Sequence, residues 1–138
     1  MKLPLFLLSS KKVRKAIFTA ANVSVDTSGT VGTIKISVPS KGGVIIQKIA
    51  ASQDAVTLDL LKDDGNTLGG TYGLPFYLSA FPNNLEPVEV GIFVSGNDTQ
   101  KITTKLTAIG TATTLTALRI EVIIIEDLEA AKVAEAEL

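Results

Sequence analysis

The chain has 138 residues, enough for one domain with its own core, and its 46% apolar and 20% charged residues are typical of a globular protein. It has no Cys and no His, which excludes disulfides, thiolate and histidine catalysis, and zinc sites built from nitrogen or sulfur ligands. A formal net charge of −1 excludes a protein that binds polyanions over its whole surface.

The chain opens on an apolar run, Leu3–Leu8, which is followed by a basic cluster at Lys11, Lys12, Arg14 and Lys15. A secretory signal has the opposite order and a longer apolar stretch, and no window reaches the roughly 20 apolar residues of a transmembrane helix. Ser9 or Ser10 can cap a short helix over residues 9–20. We therefore expect residues 1–21 to form a basic N-terminal arm with a helical segment.

Short alternating runs fill the middle of the chain. Within residues 31–38, for example, Ile34, Ile36 and Val38 share one face, and polar side chains occupy the other. This period of two, with many Val, Ile and Thr, indicates strands of an antiparallel sheet. We predict strands near residues 22–26, 31–38, 43–50, 55–61, 74–80, 86–95, 100–109 and 117–126.

Turn residues separate these runs, as in Pro39–Gly43 and Asp63–Asn66. Gly supplies positive φ, and Asn and Asp hydrogen-bond to their own turns. Strands that recur every 8–12 residues indicate a sandwich or barrel. We predict an all-β domain over residues 22–126, an antiparallel β-sandwich with the jelly-roll order and about eight strands.

The last predicted strand is apolar on both faces from Val122 to Ile125. A strand with one face in water should alternate, so either another part of the chain covers its outer face or a second subunit does. Phe93 adds an apolar side chain on the face opposite Val90 and Ile92. The N-terminal segment folding back over this face is the intramolecular alternative.

The two ends of the chain carry opposite charge. Residues 1–15 have five basic side chains and no acidic one, whereas residues 126–138 have five acidic ones and Lys132. We predict an acidic tail over residues 127–138, helical because it is rich in Ala and Glu. Such ends either dock on a neighbouring subunit or remain solvated. The candidate assembly residues are Phe93, Ile123, Ile125, Lys11, Lys12, Arg14 and Lys15.

No constellation predicts catalysis, a cofactor or a metal site. Asp63 and Asp64 stand before Gly65 as in a calcium loop, but the twelfth position of such a loop would be Leu74 rather than Glu. A hairpin turn explains the same residues. We therefore expect a protein that is not an enzyme and has no small-molecule substrate.

The segments Val38–Val44, Ala55–Leu60 and Leu118–Val122 together resemble the single jelly-roll structural proteins of viral particles, in capsids and their decorations. In those proteins a proline-glycine turn precedes a strand, short strands alternate, and a long final strand closes the sandwich. The resemblance covers roughly residues 22–126 and consists of pattern and composition. It implies an oligomeric shell component located in the virion, and it transfers no functional residue.

Two other functions stay open at the level of the sequence. In a filament or surface layer outside the cell, Leu3–Leu8 could complete a neighbour's sheet, although Pro4 lacks an amide hydrogen. In a small carbohydrate- or ligand-binding module, the Gly-rich loop at residues 69–75 would act with Tyr72 and Tyr77. The basic arm could also contact nucleic acid or a membrane surface.

Overall fold

A computed structural model describes residues 13–52, 54–68, 75–80 and 87–127. The eight strands are β1 (Val13–Val25), β2 (Thr30–Ser37), β3 (Gly43–Ala51), β4 (Val56–Leu61), β5 (Phe76–Tyr77), β6 (Val88–Ser95), β7 (Lys101–Ala108) and β8 (Thr113–Ile125). A 3-10 turn, Leu78–Ala80, follows β5. The described part of the chain holds no helix with the length and apolar character that crossing a bilayer demands.

The strands form two four-stranded sheets. Sheet A has the order β1-β8-β3-β6, and sheet B has the order β2-β7-β4-β5. The first strand pairs antiparallel with the last, the second with the seventh, the third with the sixth and the fourth with the fifth. This is the arrangement of one long hairpin wound into a sandwich, which is the jelly roll. The predicted fold class is confirmed.

The core lies between the inner faces of the two sheets. On β4 and β7 every second residue is buried, because successive side chains of a strand point to opposite faces. The sheet A side of the core includes Ile46 and Ile49 of β3 and Ile120 of β8. Complete burial of one such side chain stabilises the fold by roughly 1.5–3 kcal/mol. The alternation read from the sequence therefore corresponds to the real inner and outer faces.

The first strand corrects the expectation of a helix over residues 9–20. Residues 13–20 are extended and belong to β1, which pairs with β8 from Val13 to Val25. Alternate residues of this segment also fit a strand, since Ala16, Phe18 and Ala20 pack against the core. A short helix is marginal in water, whereas β8 offers a full ladder of backbone partners. The helix predicted over residues 127–138 lies outside the described residues, apart from Asp127.

Asn22 divides β1 into two parts. Its φ is 53°, a left-handed conformation that Asn adopts more readily than most residues. Before it, Phe18 and Ala20 point to the core, and after it Val23 packs against the core. The inward side thus changes from even to odd positions, which explains why simple periodicity did not mark this segment as a single strand.

A buried hydroxyl accepts a hydrogen bond from a backbone N–H inside a bulge of β2. The pairing of β2 with β7 shifts register between Val31 and Lys35. Inside this bulge the Ile34 N–H donates to Thr104 Oγ1 on β7 at 2.9 Å, and Thr104 is fully buried. The side chain replaces a backbone acceptor that the shifted register removes.

We expect Thr104→Val to lower the free energy of unfolding by about 1–3 kcal/mol, because it leaves the buried Ile34 N–H without an acceptor at nearly constant volume. Urea unfolding measures the change. Thr103→Val, the same exchange on the opposite face of β7, is the control. Equal effects of the two substitutions would contradict the role of the Thr104 hydroxyl.

Candidate functional site

The outer face of sheet A carries two cross-strand rows of side chains. The strand register places Ile45 of β3 opposite Ile123 of β8 on one side and opposite Phe93 of β6 on the other. Lys15 of β1 continues this row beyond Ile123. The next row consists of Val13, Ile125, Gly43 and Ser95. We call Val13, Ile45, Phe93, Ile123 and Ile125 the outer apolar patch.

Most of this patch is buried. Val13, Ile45, Ile123 and Ile125 are each no more than 5% exposed, yet none belongs to the core cluster between the sheets. Every described strand is a member of sheet A or sheet B, and sheet B packs on the opposite face. Among the described residues, therefore, no strand lies over the outer face of sheet A.

Two apolar side chains at the opposite edges of the same face remain in water. Phe93, on the edge strand β6, is 43% exposed, and Ile17, on the edge strand β1, is 59% exposed. The register pairs Ile17 with Glu121, one row beyond the pair of Lys15 and Ile123. The outer face of sheet A thus has a buried apolar centre and an exposed apolar residue on each edge strand.

The Phe93 ring lies over Gly43. A Cβ added at Gly43 would come within 2.8 Å of Phe93 Cε2 and within 2.7 Å of the Val94 carbonyl oxygen. Atoms do not approach this closely without displacement, so the ring occupies the space that any larger residue at position 43 would need. Gly43 therefore leaves room for the aromatic ring next to the backbone of β3.

The basic residues of the predicted site fall into two groups. Arg14 Nε lies 3.2 Å from Glu126 Oε1, and both side chains are substantially exposed. Lys15 is exposed on the outer face of β1. Lys11 and Lys12 lie outside the described residues. The Arg14–Glu126 contact joins the basic start of the described chain to its acidic end, and a surface ion pair of this kind contributes about 0–1 kcal/mol.

Charged side chains border the apolar patch on one side. In the row of Ile17, the register places Glu121 of β8 opposite Lys48 of β3, which in turn is opposite Glu89 of β6. Arg119 Nη2 lies 3.8 Å from Glu121 Oε2. Alternating signs across neighbouring strands favour pairing within the sheet. We call Glu121, Lys48 and Glu89 the charged belt, and it borders the outer apolar patch.

The acidic loop considered as a calcium site is a turn. The Asn66 N–H donates to Asp64 Oδ1 at 2.9 Å, and the Gln100 N–H donates to Asp63 Oδ2 at 2.7 Å. Asp98 accepts from the Lys62 ammonium at 3.3 Å. Within the described ranges, no group of three or more acidic side chains is placed to hold a metal ion.

A shallow cleft opens where β1 ends and β8 begins, lined by Ser24, Val25, Asp26, Ala112, Thr113 and Thr114. Among the described residues that line it, Asp26 is the only charged one, and Asp26 Oδ1 accepts from the N–H groups of Ser28 and Gly29. The carboxylate is thus engaged in holding its own turn. The described lining of the cleft therefore consists of short side chains at strand ends, without a cluster of catalytic or metal-binding groups.

The structure brings together some of the predicted residues and adds three that the sequence analysis missed. Phe93 and Ile123 are linked through Ile45, and Ile125 lies in the adjacent row with Val13. Ile45 was visible in the two-sided run Val44–Ile46 but was not selected. Val13 and Ile17 were hidden by the helical interpretation of their segment. Whether these residues form an assembly interface stays a prediction.

No protein-family model and no curated protein matches the chain. Among solved structures, a mutant VP2 protein of infectious bursal disease virus in derived T=1 particles is similar with a TM-score of 0.40 and 14% identity, over 86% of this chain and 33% of that one. A VP2 subviral particle of the same virus gives 0.39 and 14%, over 86% and 34%. Its Gx strain gives 0.39 and 16%, with the same coverage. The chain spans about a third of the length of these structures.

We expect Gly43→Ala to lower the free energy of unfolding by about 1–3 kcal/mol, because the new methyl group overlaps the Phe93 ring. In a Phe93→Ala background, the loss of unfolding free energy caused by Gly43→Ala should be smaller by about 0.5 kcal/mol or more, since only the Val94 carbonyl then opposes the methyl group. Urea unfolding of the four chains of this double-mutant cycle measures the coupling. Strict additivity would contradict the contact.

Asp64 should titrate at low pH. The backbone and side-chain hydrogen bonds from Asn66 hold the pKa of Asp64 below its ordinary value of about 3.8. A carboxylate with a lowered pKa stabilises the fold above its unfolded pKa, and this contribution disappears as the pH falls through the folded pKa. Carboxyl carbon chemical shifts measured against pH test this. A midpoint at or above the ordinary value would contradict the turn geometry.

Proposed function

We propose that this chain is a non-enzymatic structural subunit that assembles with copies of itself into a virus particle. The observation that carries the proposal is the outer face of sheet A. The centre of that face is buried within the single chain, but its two edge strands leave Ile17 and Phe93 in water, at 59% and 43% exposure. An exposed apolar side chain at each edge of one face is available to a second subunit.

The fold supports a structural role of this kind. The jelly roll is found in viral capsid domains as well as in lectin domains and cupins, so the fold alone leaves several functions open. In this chain the eight strands provide a rigid block, and the two exposed apolar residues lie on its opposite edge strands. A surface with separated contact points suits repeated association between identical subunits.

The charges beside these contact points support the same proposal. Arg14 and Lys15 are exposed on β1, and the alternating belt of Glu121, Lys48 and Glu89 crosses the outer face. Charges at the rim of an interface set orientation and the rate of encounter more than affinity. We propose that they fix the register between subunits, while the apolar side chains supply the association energy.

Assembly is tested with matched pairs of substitutions. Ile17→Asp is compared with Val31→Asp, because both side chains are 59% exposed but Val31 lies on β2 of the other sheet. Phe93→Asp is compared with Ile109→Asp, at 43% and 45% exposure. Light scattering and electron microscopy follow the assembly of the full chain as its concentration rises. Urea unfolding confirms that each variant keeps its fold.

We expect discrete particles from the unsubstituted chain. Ile17→Asp and Phe93→Asp should raise the concentration needed for assembly by about 5- to 30-fold, as a loss of about 1–2 kcal/mol per contact implies. The two control substitutions should leave it unchanged. A chain that stays monomeric, or controls as damaging as the test variants, would overturn the proposal. Open fibres would favour the filament function, and glycan binding by a monomer would favour the binding module.

A further inference from the structure

We infer that two copies of this chain pair through the edge of β1 that faces away from β8, antiparallel and about a two-fold axis at Ile17. The two A sheets then form one continuous sheet. Among the described strands, β8 is the only hydrogen-bonded neighbour of β1. The inference rests on the proposed function for its premise that copies associate, and it names one of the contacts. Phe93, on the opposite edge strand β6, stays available for another.

The other three edges of the described sheets are protected against such pairing. β5 has only two residues, Phe76–Tyr77. β2 is interrupted by its bulge and by Gly32, which has a φ of 91°. β6 carries the exposed Glu89 and has a φ of 62° at Gly91. Short edge strands, bulges and charged side chains are the usual means by which proteins prevent edge-to-edge pairing.

The edge of β1 lacks these features over most of its length. From Ala16 to Ala21 the strand has no charged residue, no Gly and no Pro, and Ile17 is 59% exposed. The left-handed Asn22 ends the regular part of the strand, which therefore runs from Val13 to Ala21. An edge strand of this kind presents backbone N–H and C=O groups with which a further strand can pair.

The partner that fits this edge is the same edge of a second copy. A two-fold axis makes the two strands antiparallel and pairs odd-numbered residues with odd-numbered ones. The outer faces of both copies then lie on the same side of the joined sheet. Ile17 is the midpoint of Val13–Ala21, so an axis at Ile17 gives every residue of that segment a partner. It also brings the exposed Ile17 side chains of the two copies together.

The charges of β1 select the same register. With the axis at Ile17, Lys15 of one copy lies opposite Thr19 of the other. Arg14 lies opposite Ala20 in the same way. An axis at Lys15 would instead place two like charges opposite each other, which is unfavourable. The formal net charge of −1 adds little repulsion between the copies.

The chain has no Cys, so introduced thiols report on this contact. Ile17→Cys is oxidised with copper phenanthroline, and the disulfide-linked dimer is measured on a denaturing gel. Val31→Cys is the control for random collision, because Val31 is also 59% exposed and lies on the edge strand β2 of the other sheet. A mixture of Lys15→Cys and Thr19→Cys chains tests the register. Dilute protein and assembled particles are both oxidised.

We expect the thiol at position 17 to cross-link at least roughly tenfold faster than the thiol at position 31. In the mixture, the dimer that links positions 15 and 19 should exceed the dimers that link like positions, because like positions lie about 13 Å apart along the paired strands. Equal rates at positions 17 and 31 in both preparations would overturn the inference.

A second test uses charge and keeps the apolar contact. Thr19→Lys places a like charge opposite Lys15 of the other copy and should weaken the dimer about 3- to 30-fold, whereas Thr19→Glu should strengthen it. Adding Lys15→Glu to Thr19→Lys should restore the original affinity. Sedimentation measures the dimer below the concentration at which particles form, and urea unfolding confirms that each variant is folded. Equal weakening by Thr19→Lys and Thr19→Glu would overturn the register.

The outcomes separate this inference from the proposed function. Particles that form without cross-linking at position 17 would overturn the pairing and leave the shell function standing. A dimer that cross-links at position 17 but never grows into particles would support the pairing and overturn the shell function. A chain that is monomeric at every concentration would overturn both.

Discussion

The position of β8 between β1 and β3 is the constraint on which the rest of this structure depends. Hydrogen bonds hold β8 on both edges, from Val13–Val25 on one side and Gly43–Ala51 on the other. A central strand has no free edge, so only its two faces remain to be covered. Its inner residues Val122 and Ile124 enter the sandwich core, and its outer residues Ile123 and Ile125 form the middle of the outer apolar patch.

The same strand connects fold and function. Because the jelly roll pairs the first strand with the last, the start of the described chain and its acidic end meet at one corner, where Arg14 contacts Glu126. The outer face above that corner combines buried apolar residues, two exposed apolar residues and a charged belt. The proposed association between subunits rests on this face.

Two local contacts show how closely the strands are packed. Gly43 leaves room for the Phe93 ring, and Thr104 on the other sheet satisfies an amide that a bulge would otherwise leave buried and unpaired. Both positions depend on neighbours distant in sequence. Each of these contacts joins strands that the winding of the long hairpin brings together, so they form only when the sandwich is complete.

The sequence by itself determined the fold class, the number of strands and most of their positions, because alternation between apolar and polar residues follows directly from the pleat of a strand. It also indicated that β8 has two apolar faces, since Val122 to Ile125 are consecutive. Only the tertiary structure decided that residues 13–20 form a strand. This segment pairs with the edge of β8 that would otherwise be open, and that pairing outweighs the local preference of the segment. The row that joins Phe93, Ile45 and Ile123 was likewise decided by register, which pairs residues 48 and 78 positions apart and leaves no periodic signal in any one segment.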